Sequence, residues 1–224
     1  MKKMFLALLL IQTFLSIGQS KNDLIVEDEE TSNLSAYGTR VVVKKPSKNI
    51  IQGHEYFENE NKLASVFVNK QKSRRAFVRY NALNDQIEVT EVFNVLKRDN
   101  IEIVLDEGYA YKVLDFEGTK QFFVFLKEGK TSLVMKVEKK IKQGREAIGG
   151  YQKTTKDKYV EKHSYFILNE EGELLKMRLK EKDILRVLGD RKSEIEKYIS
   201  SKKLNCKKEK DVVKIVNYYN TLTN

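Results

Sequence analysis

Cysteine, proline, histidine and tryptophan are nearly missing from this sequence, and each scarcity excludes something. There is one cysteine, one proline, two histidines and no tryptophan in 224 residues. A lone Cys206 can form no intramolecular disulfide and no multi-cysteine zinc site. Its setting in KLNCKKEK fits a buried small hydrophobe. His54 and His163 lie far apart, and neither stands three or four positions from a second histidine or a cysteine, so no helical metal motif of that kind is present. Glycine-rich phosphate loops are missing too: Ile148-Gly149-Gly150 follows no apolar strand and lacks the lysine-serine tail. There is no G-x-S-x-G elbow. Carboxylate pairs are many, but none stands in a specific pattern. The expectation is a protein with no catalytic residue, no cofactor and no metal site, and not an enzyme. With Pro46 as the single proline, strands and helices can run uninterrupted.

Long hydrophobic runs are also scarce. The one present, MFLALLLIQTFL over residues 4–15, follows Lys2 and Lys3 and precedes SIGQS. A basic start, a short apolar core and small residues at a cleavage site are the pattern of a secretory signal peptide, here residues 1–18 with the cut after Gly18. The run falls short of the ~20 apolar residues that span a bilayer, so no transmembrane span is expected in the mature chain. No cysteine follows it to carry a lipid. Avoidance of thiols fits an oxidising compartment. The closing residues read as a helix rather than a surface-sorting domain, which places the exported protein in the periplasm rather than the medium.

The net charge is +10. Lysines interleaved with tyrosines are the footprint of single-strand nucleic acid binding, but export removes that substrate, and nucleic acid is not expected. The acidic partners of an exported protein are lipid headgroups, lipopolysaccharide and acidic glycans, with plain solubility as the simplest reading.

Residues 19–35, with the acidic run Glu27–Glu30, read as a flexible arm. GTRVVVKKP follows as an edge strand. Residues 36–178 carry the pattern of an antiparallel β domain. NIEIVLD alternates Ile101, Ile103 and Leu105 with Glu102 and Asp106, apart from Val104 on the outer face. Turn signals recur at Asn84-Asp85, Asp106-Glu107-Gly108, Glu117-Gly118, Glu128-Gly129 and Glu171-Gly172, as in a β-meander. FLKEGKTSLVMKV and ILNEEGELLKMRL echo each other as two similar hairpins. Residues 139–159 are polar, basic and glycine-containing, and read as a mobile loop.

From residue 179 to 224 the period changes from two to about 3.6. KDILRVLG reads as a helix closed by Gly189. DRKSEIEKYISSKK restarts with Asp190 as N-cap and puts Ile195, Tyr198 and Ile199 on one face. KEKDVVKIVNYYNTL aligns Val212, Val216 and Tyr219, with Val213 and Leu222 alongside. Helices this short are not stable alone in water and must dock. The fold expected is α+β: a curved antiparallel meander sheet with three short C-terminal helices.

Two stretches carry candidate sites. In QFFVFL both strand faces are apolar, Phe122, Val124 and Leu126 on one and Phe123 and Phe125 on the other. Half-exposed strands alternate, so something covers the second face, either the C-terminal helices or an apolar ligand lined by Phe123 and Phe125. In RYNALNDQIEV, residues 79–89, a two-residue turn at Asn84-Asp85 sets Ala82 opposite Ile87, Asn81 opposite Glu88 and Tyr80 opposite Val89. Val78, Tyr80, Ala82, Ile87 and Val89 then share an apolar face. Arg79, Asn81, Glu88 and Thr90 share a polar one, with Arg79 diagonal to Glu88. No calcium loop fits here, because alternate oxygens and a central glycine are absent. Arg79, Asn81 and Glu88 are the candidate partner-binding residues.

IIQGHEYF, RRAFVRYNALNDQIEV and the closing stretch from Ile184 to Leu222 resemble a family of uncharacterised exported proteins from Bacteroidota. The shared elements are G-x-x-Y-[FL], R-Y-N-x-x-x-D-x-x-E and a helical tail ending in Y-Y-N. They fall here on Gly53, Tyr56 and Phe57, on Arg79, Tyr80, Asn81, Asp85 and Glu88, and on Tyr218, Tyr219 and Asn220. The resemblance implies export and a single domain, and supplies no catalytic residue. Three functions stay open: a non-enzymatic binding module engaging an envelope protein, glycan or lipid, a carrier or chaperone for a lipid-like apolar ligand, and, behind both, an enzyme of unknown type.

Overall fold

A computed structural model describes residues 35–36, 39–40, 51–89, 93–145 and 154–223. The chain divides into two compact units, Met1–Ser47 and Lys48–Asn224. In the first, β1 (Ser35–Ala36) and β2 (Thr39–Arg40) form a short antiparallel ladder. The leader, the arm before Ser35 and the GTRVVVKKP strand beyond Arg40 lie outside the described residues.

The second unit is an open antiparallel sheet with three helices. Its strands are β3 (Lys62–Val68), β4 (Gln71–Asn81), β5 (Gln86–Val89), β6 (Phe93–Asn94) and β7 (Ile101–Leu105). They continue with β8 (Ala110–Phe116), β9 (Thr119–Lys127), β10 (Ser132–Lys142), β11 (Lys158–Leu168) and β12 (Leu174–Met177). The spatial order is β12-β11-β10-β9-β8-β7-β3-β4-β5-β6. From β7 onward this is a meander. Earlier it is not: β3 lies between β4 and β7, so the chain runs out to the β6 edge and returns to pair β7 with β3. The α+β class follows from this mixture of sheet and helix.

Turns close where the backbone tolerates positive φ. Glu117 and Gly118, at φ 52° and 77°, make the two-residue turn between β8 and β9. Asn69 and Lys70, at φ 52° and 63°, do the same between β3 and β4. The Asn-Lys turn carries no glycine signal, and the sequence reading passes over it.

The helices are α1 (Glu181–Val187), α2 (Lys192–Ser201) and α3 (Glu209–Leu222), with a 3-10 turn over Gly189–Arg191 before α2. Asp190 is not the N-cap expected of it. It sits inside the 3-10 turn, and its carboxylate accepts a hydrogen bond from the Tyr219 hydroxyl at 2.9 Å. Ile195, Val212, Ile215 and Val216 are fully buried against Leu133, Ile167 and Met177 of the sheet. Each such side chain contributes about 1.5–3 kcal/mol relative to exposure, which is what holds segments too short to be helical alone. Cys206 is buried in this same cluster.

A second cluster fills the other part of the inner sheet face, with Val78, Tyr80, Ala82, Ile87, Val89, Ile103, Tyr111, Phe122, Val124 and Val137. A third lies on the opposite face and holds Ala110, Phe123, Phe125, Val134 and Phe166, flanked by Val104.

The two ends of the span read as a loop over 139–159 belong to the ladder, residues 139–142 in β10 and 158–159 in β11. β10 and β11 pair rung by rung out to Lys142 opposite Lys158, because Ile141, Tyr159 and Val160 keep the strand geometry going. Beyond them Thr155 N–H donates to the Arg145 carbonyl at 2.9 Å, and Gly144 N–H to Asp157 Oδ1 at 2.8 Å. A Cβ on Gly144 would lie 1.9 Å from the Thr155 carbonyl oxygen, so no larger residue fits. Residues 146–153 lie outside the described residues.

Candidate functional site

The β4–β5 hairpin differs from its expected register by two residues. Val78 pairs with Val89, Arg79 with Glu88, Tyr80 with Ile87 and Asn81 with Gln86, leaving a four-residue turn over 82–85. A shift of two keeps every side chain on its own face, since the strand period is two. Val78, Tyr80, Ala82, Ile87 and Val89 are accordingly all buried. The longer turn has two causes. The Asn81 side chain accepts the Asn84 N–H at 3.1 Å, closing the first half. Asp85, at φ 53°, turns its carboxylate inward to a partner elsewhere in the sheet.

That register sets Arg79 directly opposite Glu88. Arg79 Nη2 lies 3.3 Å from Glu88 Oε2, and Asn81 Nδ2 donates to Glu88 Oε1 at 3.3 Å. The three candidate partner-binding residues therefore meet one another, but they are half-buried or buried rather than an open face. What lies over them is the segment 51–57. Tyr56 bridges Asn81, Phe57 N–H donates to the Tyr80 carbonyl at 2.9 Å, and Ala82 N–H to the Glu55 carbonyl at 3.0 Å. The Arg79 guanidinium stacks 3.5 Å from the centroid of the Tyr56 ring. Burial, and then the charge of Glu88, push the Tyr56 phenol up to about 12. The same segment reaches β11, where Gln52 bridges Lys158 and the Phe57 ring meets His163 edge-on at 5.7 Å. Residues 51–57 are thus a strap tying β4 to the free edge of β11.

Asp85 is the centre of a second, tighter group. Lys136 Nζ lies 2.7 Å from Asp85 Oδ1 and also donates to the Phe122 carbonyl at 3.2 Å and the Tyr80 hydroxyl at 3.5 Å. The Tyr80 hydroxyl in turn donates to Asp85 Oδ1 at 2.7 Å, and Lys97 Nζ lies 2.6 Å from Asp85 Oδ2. Lys136 is 4% exposed. Burial by itself would raise the Asp85 carboxyl, but the charge and hydrogen bond of Lys136, with Lys97 and Tyr80, hold it below the ordinary carboxylate range. Burial pulls the Lys136 ammonium down, partly offset by Asp85, and pushes the Tyr80 phenol well up. All three ammonium N–H groups of Lys136 have acceptors, which leaves this lysine no free donor for chemistry.

Around this group opens a cleft of about 330 Å³. Its wall is the 82–85 turn, Lys97, the start of β9 at Thr119–Gln121, and β10 from Lys136 to Lys140. Five lysines line it, Lys97, Lys120, Lys136, Lys139 and Lys140, against two carboxylates, Asp85 and Glu138. Lys97 and Lys136 both point at Asp85, Lys139 reaches Glu161 at 3.3 Å, and Lys120 lies against Asp99 and Asp115 at the rim. Lys140 has no ion-pair partner among the described residues. The cleft is an electropositive pocket with one satisfied carboxylate at its base.

Phe123 and Phe125 are not under the helices. Phe123, Phe116 and Phe166 pack edge-to-face at 5.3–5.8 Å, and Phe123 and Phe125 are buried with Ala110, Val134 and Phe166. The helices cover the other face of β9 and β10, where Leu126 and Leu133 meet them. Neither phenylalanine lines the lysine cleft.

Sequence reasoning missed Lys136 and the lysine cleft. A signal was present: one lysine inside the otherwise apolar run SLVMKV, which burial would require to find a carboxylate. Among the described residues no grouping of three or more histidine, cysteine, aspartate or glutamate side chains is placed to hold a metal. No helix of the described residues is long and apolar enough to cross a membrane. No protein-family model, curated protein or solved structure matches the chain.

Proposed function

We propose that this is an exported, non-enzymatic binding module whose lysine cleft takes a ligand bearing a carboxylate or phosphate group. The observation that carries this reading is the lining of the cleft, five lysines against two carboxylates, with Asp85 already neutralised by Lys97 and Lys136. An anion entering beside Lys140 meets a lysine with no ion-pair partner among the described residues, and Lys97 and Lys136 together outweigh the single charge of Asp85. The site is concave, and its low-dielectric wall strengthens the attraction. The groups of perturbed acidity, Asp85, Lys136 and Tyr80, are hydrogen-bonded to one another, which supports a binding role over a catalytic one. A carrier of apolar ligands would need Phe123 and Phe125 on a cavity wall, and both rings are packed into a cluster of their own. The signal-peptide pattern over residues 1–18 supports a periplasmic location under the same reading.

Calorimetric titration with inorganic phosphate and with glucuronate tests it. Saturable binding that weakens with added salt is expected, with at least a tenfold loss in Lys120→Gln/Lys140→Gln. Titrations that show no saturable heat for either anion, or a double variant that binds as well as the parent, would overturn it.

A further inference from the structure

The outer end of the β10–β11 hairpin changes its charge rule partway along one ladder. On the inner rungs, opposite charges face each other: Glu138 opposes Lys162, and Lys139 opposes Glu161. On the last rung Lys142 opposes Lys158. Like charges directly opposite on a sheet destabilise it, and neither lysine has an ion-pair partner among the described residues. Stability of the hairpin therefore does not explain this rung.

Strand alternation shows what shares its face. Lys140 and Lys142 on β10 lie on the same side as Lys158, Val160 and Lys162 on β11, with Lys140 directly opposite Val160. Val160 is 41% exposed, and all four lysines around it are exposed. Lys158 and Lys162 flank it along its own strand at about 6.7 Å each. Lys140 faces it across the ladder, and Lys142 lies diagonal to it. Among the described residues of β10 and β11, the single carboxylate on this face is Glu138, 3.7 Å from Lys162. On the reverse face, Ile141 is also 42% exposed at the same level of the hairpin.

We propose that this end of the hairpin docks on an anionic lipid surface. Four ammonium groups ringing an exposed aliphatic side chain have the chemistry of the headgroup boundary: the charges meet lipid phosphates while the apolar side chain enters between them. A soluble acidic chain would account for the lysines but gives no role to the exposed valine at their centre. The face is distinct from the lysine cleft: it shares Glu138 and Lys140 with it, but Lys142, Lys158, Val160 and Lys162 do not line that cleft.

The test is co-sedimentation of the full chain with phosphatidylcholine vesicles, with and without phosphatidylglycerol. The leader is common to every variant, so differences between variants read the hairpin. The parent is expected to sediment with the phosphatidylglycerol vesicles in a salt-sensitive manner. Lys142→Glu puts opposite charges on the last rung, so its melting temperature should hold or rise while its partition onto those vesicles falls about fivefold or more. Val160→Thr should weaken partition without altering the salt dependence. Phosphate binding in the cleft should be unchanged in both variants, so a failure of the cleft reading and a failure of this one are told apart. No preference for phosphatidylglycerol in the parent, or a Lys142→Glu variant that sediments like the parent, would overturn the proposal.

Discussion

Lys136 Nζ sits 2.7 Å from Asp85 Oδ1, and this contact fastens the tip of the β4–β5 hairpin to β10, 51 residues away in the chain. The Lys139 N–H, donating to the Ala82 carbonyl at 3.0 Å, seals the same junction from the backbone. The pair has the geometry of an internal latch. Surface ion pairs contribute about 0–1 kcal/mol, but a lysine this deeply buried is costly without its counter-ion.

Asp85→Asn should therefore destabilise the protein by about 3–5 kcal/mol, the scale of breaking a buried pair from one side. Lys136→Met added to it should recover most of that loss, because the stranded charge is gone and the methionine stem fills similar space. Urea unfolding of the parent, the single variant and the double variant measures both. If Asp85→Asn alone costs less than about 1 kcal/mol, the latch is not the determinant of this junction.

Asn220 locks the last helix to the β9–β10 turn. Its side chain accepts the Thr131 N–H at 3.0 Å and donates to the Thr131 carbonyl at 2.8 Å. Gly129 gives it room: a Cβ there would lie 2.4 Å from Asn220 Nδ2. Asn220→Ala strands two polar groups of a buried residue and should cost about 2–4 kcal/mol. Gly129→Ala should be harmful in the parent but nearly neutral in the Asn220→Ala background, since the clashing amide is then absent. Additive costs in thermal melts of the two single variants and the double variant would contradict this geometry.

The link between β12 and α1 is set by acidity. Asp183 accepts hydrogen bonds from the Arg178 side chain at 2.8 Å and the Arg178 N–H at 3.1 Å, and these hold its carboxyl down at about 2. A depressed carboxyl contributes stability above its unfolded value of about 3.9, and that contribution is lost as pH falls through about 2. Asp183→Asn should flatten the pH dependence of stability between about pH 4 and pH 2 and leave its slope near neutrality unchanged. A carbon-detected NMR titration of the Asp183 carboxyl, with its midpoint well under 3.9, is the direct check.

How far the sequence was readable depends on the range of each contact. The faces of RYNALNDQIEV were legible because burial follows a period of two, and a register displaced by two residues preserves it. The turn length was not, because it is set by Asp85 reaching Lys136 in a distant strand. Val104, the one apolar residue on the wrong side of NIEIVLD, and the second apolar face of QFFVFL are two views of one cluster. The sequence leaves their cover open between the helices and an apolar ligand, because nothing local says that Phe116 and Phe166 close over Phe123. The stretch IIQGHEYF stands out in the sequence only as a shared element, with no structural role: residues 51–57 form no strand longer than a bridge, and their contacts are to residues far along the chain. The lysine cleft was hidden for the same reason, being drawn from four separate segments.

The strap offers the decisive test of Arg79, Asn81 and Glu88. If these residues position the strap, their loss should loosen residues 51–57 before it loosens the sheet. Arg79 lies between the Tyr56 ring at 3.5 Å and the Glu88 carboxylate at 3.3 Å, and Glu88 also accepts from Asn81. A cation–π contact at a partly exposed site is worth about 0.5–1 kcal/mol and a half-buried ion pair a similar amount. Arg79→Lys keeps the charge but loses the planar stacking and the fork geometry. Hydrogen exchange at the Phe57 and Ala82 amides, both of which bond across the strap, should accelerate about threefold to fivefold in Arg79→Lys. Exchange at the β8–β9 amides, which report global opening, should change less. Equal acceleration at both sets would mean that Arg79 supports the whole sheet. No acceleration at either would free Arg79, Asn81 and Glu88 from the strap and return them to the surface as residues for a partner.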